Sequence, residues 1–297
     1  MGQAYRPTGP RPYPFGMPEL PEIEAISRLL GEAVAGAEVE SVMAPGLNTV
    51  KTFRPAPQVL EGSKLSGIRR RGMVFILDSD SGHSVLVHLM SAGRLQLFDE
   101  RAKPTDRRSR LLIRLADGRE LRLREFGTHQ RAWARVVEAD SALEDESIKD
   151  LGPDAWPEPP DLQGVLDEPR PLYSVLRDQR VIVGIGRSWV DEILWSARLS
   201  PFKRGSDLEA AEAGKLSEAI TGRLGGAIDF YMQELSLPLP DKLPMPLEVH
   251  HHEGEPCPSC GTEIEAVHYR DYVMCYCPPQ QTGGKPLKDR RLSRRLK

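Results

Sequence analysis

The chain has 297 residues, of which 39% are hydrophobic and 28% charged, with a formal net charge of −3. That composition describes a soluble globular protein of two domains, or one large domain with an appendage. No apolar run approaches the ~18 residues of a membrane span and no charged-then-apolar leader opens the chain, which argues against a membrane partner and for the cytoplasm.

The charge is unevenly spread. Residues 283–297 carry seven Lys/Arg and one Asp. Lys64, Arg69, Arg70 and Arg71 form a second basic group, and residues 101–124 a third. Acid gathers at residues 138–150 and 207–212. One basic face on an otherwise acidic molecule suits a nucleic-acid partner.

Residues 1–16 are rich in Pro, Gly, Arg and Tyr without periodicity, and read as a disordered extension. Met17-Pro18-Glu19-Leu20-Pro21-Glu22-Ile23-Glu24 follows. If translation starts at Met17, methionine removal leaves Pro18 as a secondary amine with Glu19 beside it. An α-amino group titrates near pH ~7.7–8.0, so a useful fraction is nucleophilic at neutral pH. Its attack on an aldehyde-like sugar carbon gives an imine, and the adjacent carboxylate can shuttle protons. The plainer reading is that Pro18 and Pro21 open a helix whose first turn favours Glu. An attached extension would acylate the Pro18 nitrogen and remove the nucleophile.

Ile23, Ile26, Leu29, Leu30 and Val34 have helical spacing, and Gly36 supplies a stop. Short alternating runs follow at residues 39–42, 64–68, 74–77, 84–89, 95–98, 111–115, 120–123 and 132–137, with a hairpin signal at Asp117-Gly118. They predict a β-sandwich with the helix beside it, over residues 17–150. Leu151-Gly152-Pro153-Asp154 and the prolines at 157–160 mark a boundary. Helical patterns then run over residues 172–177, 190–197, 207–224 and 227–234, with a Pro/Leu-rich linker at 235–246. Within this region Gly184 and Gly186 precede a helix and offer bare backbone N–H groups to an anion such as a DNA phosphate.

Residues 247–297 hold all four cysteines. Cys257 and Cys260 stand before a hairpin-like alternation and Cys277 after it, with Cys275 two residues earlier. That is zinc-ribbon spacing, although the position for a final cysteine holds Gln280. Cys275 is then the expected fourth ligand of one structural zinc, and His268 a spare candidate.

Together these residues resemble the formamidopyrimidine-DNA glycosylase / endonuclease VIII family. The likeness rests on residues 17–24, on Leu151-Gly152-Pro153-Asp154 with residues 178–186 and Asp191-Glu192, and on the cysteine hairpin. The tail from Thr282 looks like that of an actinobacterial branch. The resemblance implies an α+β fold: a β-sandwich, a helix–two-turns–helix domain and a zinc hairpin. It implies a base-excision-repair DNA glycosylase and abasic-site lyase for damaged, oxidised bases, working as a monomer on double-stranded DNA near the bacterial nucleoid. Pro18 would attack the sugar C1′ and Glu19 would move protons. Arg71, Arg124, Phe126, Gly184, Gly186, Arg187 and Arg270 would meet DNA, and Met90 would fill the gap left by a flipped nucleotide.

This sequence departs from the family at several points. The family's lysine after Arg-Arg-Gly is Met73, which carries neither charge nor proton. Its asparagine after Gly-Ile-Gly is Arg187. Its intercalating methionine aligns with Ser91, next to Met90, and its hairpin arginine with Tyr272, two residues from Arg270. The alternative reading is therefore a catalytically impaired protein of the same fold that binds lesions or abasic sites.

Overall fold

The computed structural model describes residues 17–46, 48–103, 106–158, 162–270 and 272–287; the expected extension at 1–16 and the basic tail from 288 lie outside the described residues. Helix α1 (Leu20–Val34) forms where the sequence places it. Leu20, Ile23, Ile26, Leu30 and Val34 make one buried stripe, and Gly36 past its end takes φ +76°. Burying each such aliphatic side chain contributes about 1.5–3 kcal/mol.

The strands are β1 (Val39–Met43), β2 (Leu65–Arg71), β3 (Val74–Ser79), β4 (His83–His88), β5 (Gly93–Phe98), β6 (Ser109–Leu115), β7 (Glu120–Glu125) and β8 (Trp133–Glu138). They build two four-stranded antiparallel sheets, ordered β1-β6-β7-β5 and β2-β3-β4-β8. Asp117-Gly118 turns β6 into β7, with Gly118 at φ +95°. Helix α1 lies against β2 so closely that a Cβ on Gly31 would sit 3.0 Å from the Ile68 carbonyl oxygen, and Ser27 Oγ donates to that same oxygen at 2.9 Å.

Beyond residue 150 come the short helices α2 (Gln163–Leu166) and α3 (Leu172–Val175), then α4 (Arg187–Ser196) and the long α5 (Ala210–Glu234). The two helical patterns expected at 207–224 and 227–234 are one helix. Gly225-Gly226 costs about 1 kcal/mol per glycine relative to alanine. Leu224, Ala227, Ile228 and Tyr231 are all buried and carry the helix through. Residues 205–207 instead form a 3-10 turn, and Glu209 starts α5 in a capping box with Glu212. Strands β9 (Glu265–His268) and β10 (Val273–Tyr276) make the C-terminal hairpin, followed by the single turn α6 (Pro278–Gln281).

An ion-pair cluster ties the sandwich to the helical region. Arg70 Nε donates to Glu24 Oε2 at 2.5 Å and Arg70 also pairs with Asp154. Arg71 donates to Asp154 Oδ2 (2.8 Å) and to the carbonyls of Leu151 (3.0 Å) and Gly152 (2.6 Å). The Arg70 side chain is only 7% exposed, so removing one of its partners leaves a charge short of compensation in a dry place. Asp154→Ala is expected to lower the unfolding free energy by about 3 kcal/mol. Chemical denaturation followed by tryptophan fluorescence measures it; a loss under about 1 kcal/mol would show that Glu24 alone suffices for Arg70.

Candidate active site and nucleic-acid interface

Glu19 immediately precedes α1, yet its carboxylate reaches across to the start of α4. Oε2 accepts the N–H of Gly186 (2.7 Å) and of Trp189 (3.2 Å), and Oε1 that of Ser188 (2.8 Å). A helix N-terminus is a natural seat for an anion. A Cβ on Gly186 would lie 2.3 Å from Glu19 Cδ, so any larger residue there would push the carboxylate out of its seat. Gly184 sits at φ +108° against Leu20 and accepts the Leu20 N–H at 3.1 Å.

Burial raises the Glu19 pKa to about 7, helped by the nearby Glu22 charge and opposed by the three N–H groups. Glu22 is also raised, by its own burial. Its carboxylate accepts the Tyr231 hydroxyl (2.7 Å), Trp189 Nε1 (3.3 Å) and the Glu19 N–H (3.0 Å). A carboxyl that is half protonated near neutral pH can both give and take a proton. Pro18, next to it, is buried, and in this chain its nitrogen is in amide linkage to Met17.

The phosphate reading of Gly184 and Gly186 needs correction. Their N–H groups are not bare: Gly186 serves Glu19, and Gly184 donates to Gln179 Oε1 at 2.9 Å. The packing of α1 against α4 has already filled the nest with a carboxylate. Arg187, the first residue of α4, is exposed beside it. Its guanidinium lies 5.2 Å from the centre of the Tyr272 ring. Tyr272 stacks on Tyr269 (4.4 Å) and Tyr173 (5.8 Å), and Arg177 covers both Tyr272 (4.6 Å) and Tyr173 (4.8 Å). This aromatic–arginine column joins the hairpin to the helical region. Arg270 is exposed at the hairpin turn, between the end of β9 and the start of β10.

On the sandwich, Met90 has φ +52°, rare for a residue with a side chain, and its N–H donates to His88 Nδ1 at 2.9 Å. His88 stacks on Trp133 at 5.6 Å, and burial lowers its pKa to about 4, so the ring is a neutral acceptor. Arg124 lies 4.9 Å from the Phe126 ring centre and donates to Asp241 Oδ1 (2.8 Å) in the linker. Arg94 and Gln96 bind the same linker through the Asp241 and Leu239 carbonyls (3.0 and 2.7 Å). Arg71 belongs to the ion-pair cluster described above. Met73 is 7% exposed and packs within the hydrophobic core.

The Sγ atoms of Cys257, Cys260 and Cys277 lie within 4.8 Å of one another, with Cys260 and Cys277 at 3.4 Å. Thiolates around one tetrahedral zinc at ~2.3 Å stand ~3.8 Å apart, so these three fit the ion. Cys275 is not in this group. It is fully buried, and its sulfur accepts the His251 N–H at 3.3 Å. His268, the spare candidate, holds Glu253 at 3.0 Å instead.

Comparison with known proteins is consistent with this geometry. Residues 17–129 match the family model for the formamidopyrimidine-DNA glycosylase N-terminal domain, and residues 151–237 match that for its H2TH domain. A formamidopyrimidine-DNA glycosylase of Bacillus cereus is 31% identical over 280 residues, covering 88% of this chain and 98% of that protein. The chain belongs to the formamidopyrimidine-DNA glycosylase family. An uncharacterized formamidopyrimidine-DNA glycosylase-like protein of Mycobacterium tuberculosis is 40% identical over 149 residues, half of this chain and 94% of that one. In structure, the Lactococcus lactis Fpg in complex with abasic-site DNA superposes with a TM-score of 0.78 at 25% identity, over 89% of this chain and 99% of that one. The same enzyme with N7-benzyl-Fapy-dG DNA gives 0.79 at 24% identity, over 89% and 100%. No helix among the described residues is long and apolar enough to cross a membrane.

Within this formamidopyrimidine-DNA glycosylase fold, several site residues escape a reading of the sequence. Glu22 carries a faint signal, since it stands three residues after Glu19 as in a capping box. Tyr231, 209 residues away from it, carries none. Arg177, Tyr173 and Asp241 likewise gain their meaning only from what the fold brings beside them.

Proposed function

We propose that this protein is a base-excision-repair DNA glycosylase and abasic-site lyase that acts through the amine of Pro18 once the residues before it are removed. The observation that carries this reading is the buried Glu19 carboxyl, one residue along the chain from that nitrogen and held by three N–H groups at the start of α4, where burial raises its pKa to about 7. The secondary amine attacks C1′ of an extruded nucleotide and displaces the damaged base, which leaves with the proton the nitrogen gives up, so that a closed sugar ring carries the Pro18 nitrogen in place of the base. The Glu19 carboxyl protonates the ring oxygen as the C1′–O4′ bond breaks and the nitrogen lone pair forms the iminium; its carboxylate then takes a C2′ proton as the 3′ phosphate is eliminated. Arg187, against the tyrosine column, and Arg270, at the hairpin turn, hold phosphates, and Met90 enters the gap in the stack with Arg124 and Phe126 beside it. Zinc held at the cysteine hairpin would supply rigidity to that clamp and no chemistry. On this reading the protein works as a monomer on duplex DNA in the cytoplasm, at the nucleoid. Residues 17–150, 151–246 and 247–297 act as sandwich, helical and hairpin units. Borohydride trapping on abasic-site DNA tests it.

A second reading, lesion or abasic-site binding without base excision, draws on Met73, an apolar side chain packed in the core where the resemblance expects a lysine. A panel of oxidised purines and pyrimidines, scored for both retention and release, separates the two.

The linker makes one further expectation. Asp241 holds Arg124 as a phosphate would, with its side chain 48% exposed. Asp241→Ala is expected to tighten DNA binding about two- to five-fold at low salt, the range of a half-exposed ion pair. Fluorescence anisotropy measures it; an unchanged Kd would show that Arg124 does not meet the backbone.

A further inference from the structure

We propose that the hairpin metal centre is a three-sulfur, one-oxygen zinc site: Cys257, Cys260 and Cys277 bind the ion, and an oxygen ligand completes it on the solvent side beside Gln280. This goes beyond the repair reading and does not depend on it. Four observations carry it.

The three sulfurs are already gathered at distances one tetrahedral ion can span. Cys275 is held away from them from two sides. Its N–H donates to the buried Asp191 Oδ2 at 2.9 Å, and its sulfur takes the His251 N–H at 3.3 Å among Val249 and Ile264. Rotating that thiol toward the ion would break this partly buried hydrogen bond and draw the sulfur out of its apolar surroundings. No histidine completes the set: among the described residues the three cysteines are the only such group, and His250, His252 and His268 each face a carboxylate. Finally, the open side is polar and wet. Cys260 is exposed, and Gln280 hydrogen-bonds its thiol while donating from Nε2 to Ser259 Oγ at 2.9 Å.

Gln280 therefore caps the open side with its amide N–H toward the Cys260 sulfur, leaving its oxygen one amide flip away from that side. Two sources share that chemistry, the Gln280 amide oxygen and a water beside it. Either is a weaker zinc donor than a thiolate. The consequence is a centre with three tight bonds and one exchangeable position, the arrangement seen where zinc keeps an open site.

The test uses the full-length protein purified with zinc. X-ray absorption at the zinc edge is expected to give three sulfur neighbours and one oxygen or nitrogen, and Cys275→Ser to leave that count and one zinc per chain unchanged. Gln280→Cys is expected to give four sulfurs and to slow zinc transfer to a chromophoric chelator by about tenfold or more. Gln280→Ala identifies the oxygen while keeping the sulfur count: faster transfer points to the amide, unchanged transfer to water. Four sulfurs in the unaltered protein, no zinc at all, or a sulfur lost in Cys275→Ser would each overturn the proposal. None of these readouts involves base excision, so failure of the metal assignment and failure of the repair reading remain distinct.

Discussion

Protein trimmed to begin at Pro18 is expected to become covalently fixed to abasic-site DNA by borohydride, whereas protein that keeps Met17 is not. The difference is all-or-none because it concerns one lone pair. In an amide the nitrogen pair is delocalised into the carbonyl and does not attack carbon. Free, the same nitrogen titrates within reach of neutral pH. The iminium it forms is reduced to a stable amine that survives denaturing gel electrophoresis. Methylating the trimmed terminus is the matched control, since a tertiary amine cannot form the iminium while the charge is kept. If the trimmed protein binds abasic DNA tightly yet yields no adduct, the lyase assignment fails and the binding reading takes its place.

Glu19→Gln is the second large effect. The amide matches the carboxylate in shape but cannot cycle a proton, so the lyase rate is expected to fall by about 10²- to 10⁴-fold. Its pH behaviour is more specific than its size. Burial lifts Glu19 from an ordinary value of 4.5 to about 7. The folded protein therefore binds more protons than the unfolded chain between those values, and stability falls as pH rises from about 4.5 through 7. Above that window the penalty of a buried charge is fully present. The glutamine variant loses this part of the slope, while the part due to Glu22 remains. Rate profiles and denaturation midpoints at pH 5 and pH 8 measure both. An inflection near neutral pH that persists in the variant would assign the titration to another group.

The sandwich was legible because alternation and turn chemistry are local: Asp117-Gly118 announces its own hairpin, and α1 shows its buried stripe in five residues. Gly225-Gly226 misleads for the converse reason. Propensity argues for a break, and only the buried neighbours on α5 show why there is none. The metal hairpin divides in the same way. Cys257 and Cys260 declare themselves by spacing, but Cys275 and Cys277 seem equivalent only while strand alternation is assumed to continue. Strand β10 ends at Tyr276, so Cys277 leaves the register and turns to the other two sulfurs while Cys275 stays in the sheet. Basic residues are the least legible. Arg70, Arg71 and Arg124 look alike in sequence, yet each finds an internal carboxylate, contributed by Asp154 or Asp241 far along the chain. Arg187 is exposed at the surface, against the Tyr272 ring.

Glu19 belongs to the sandwich by covalent bond, yet its oxygens accept three N–H groups from the helical half, those of Gly186, Ser188 and Trp189. Any movement of one half against the other stretches all three contacts at once. The acidity of this one group is therefore a gauge of closure. A spectroscopic titration of Glu19, with and without DNA, would report whether the jaws have shut before any bond has been cut.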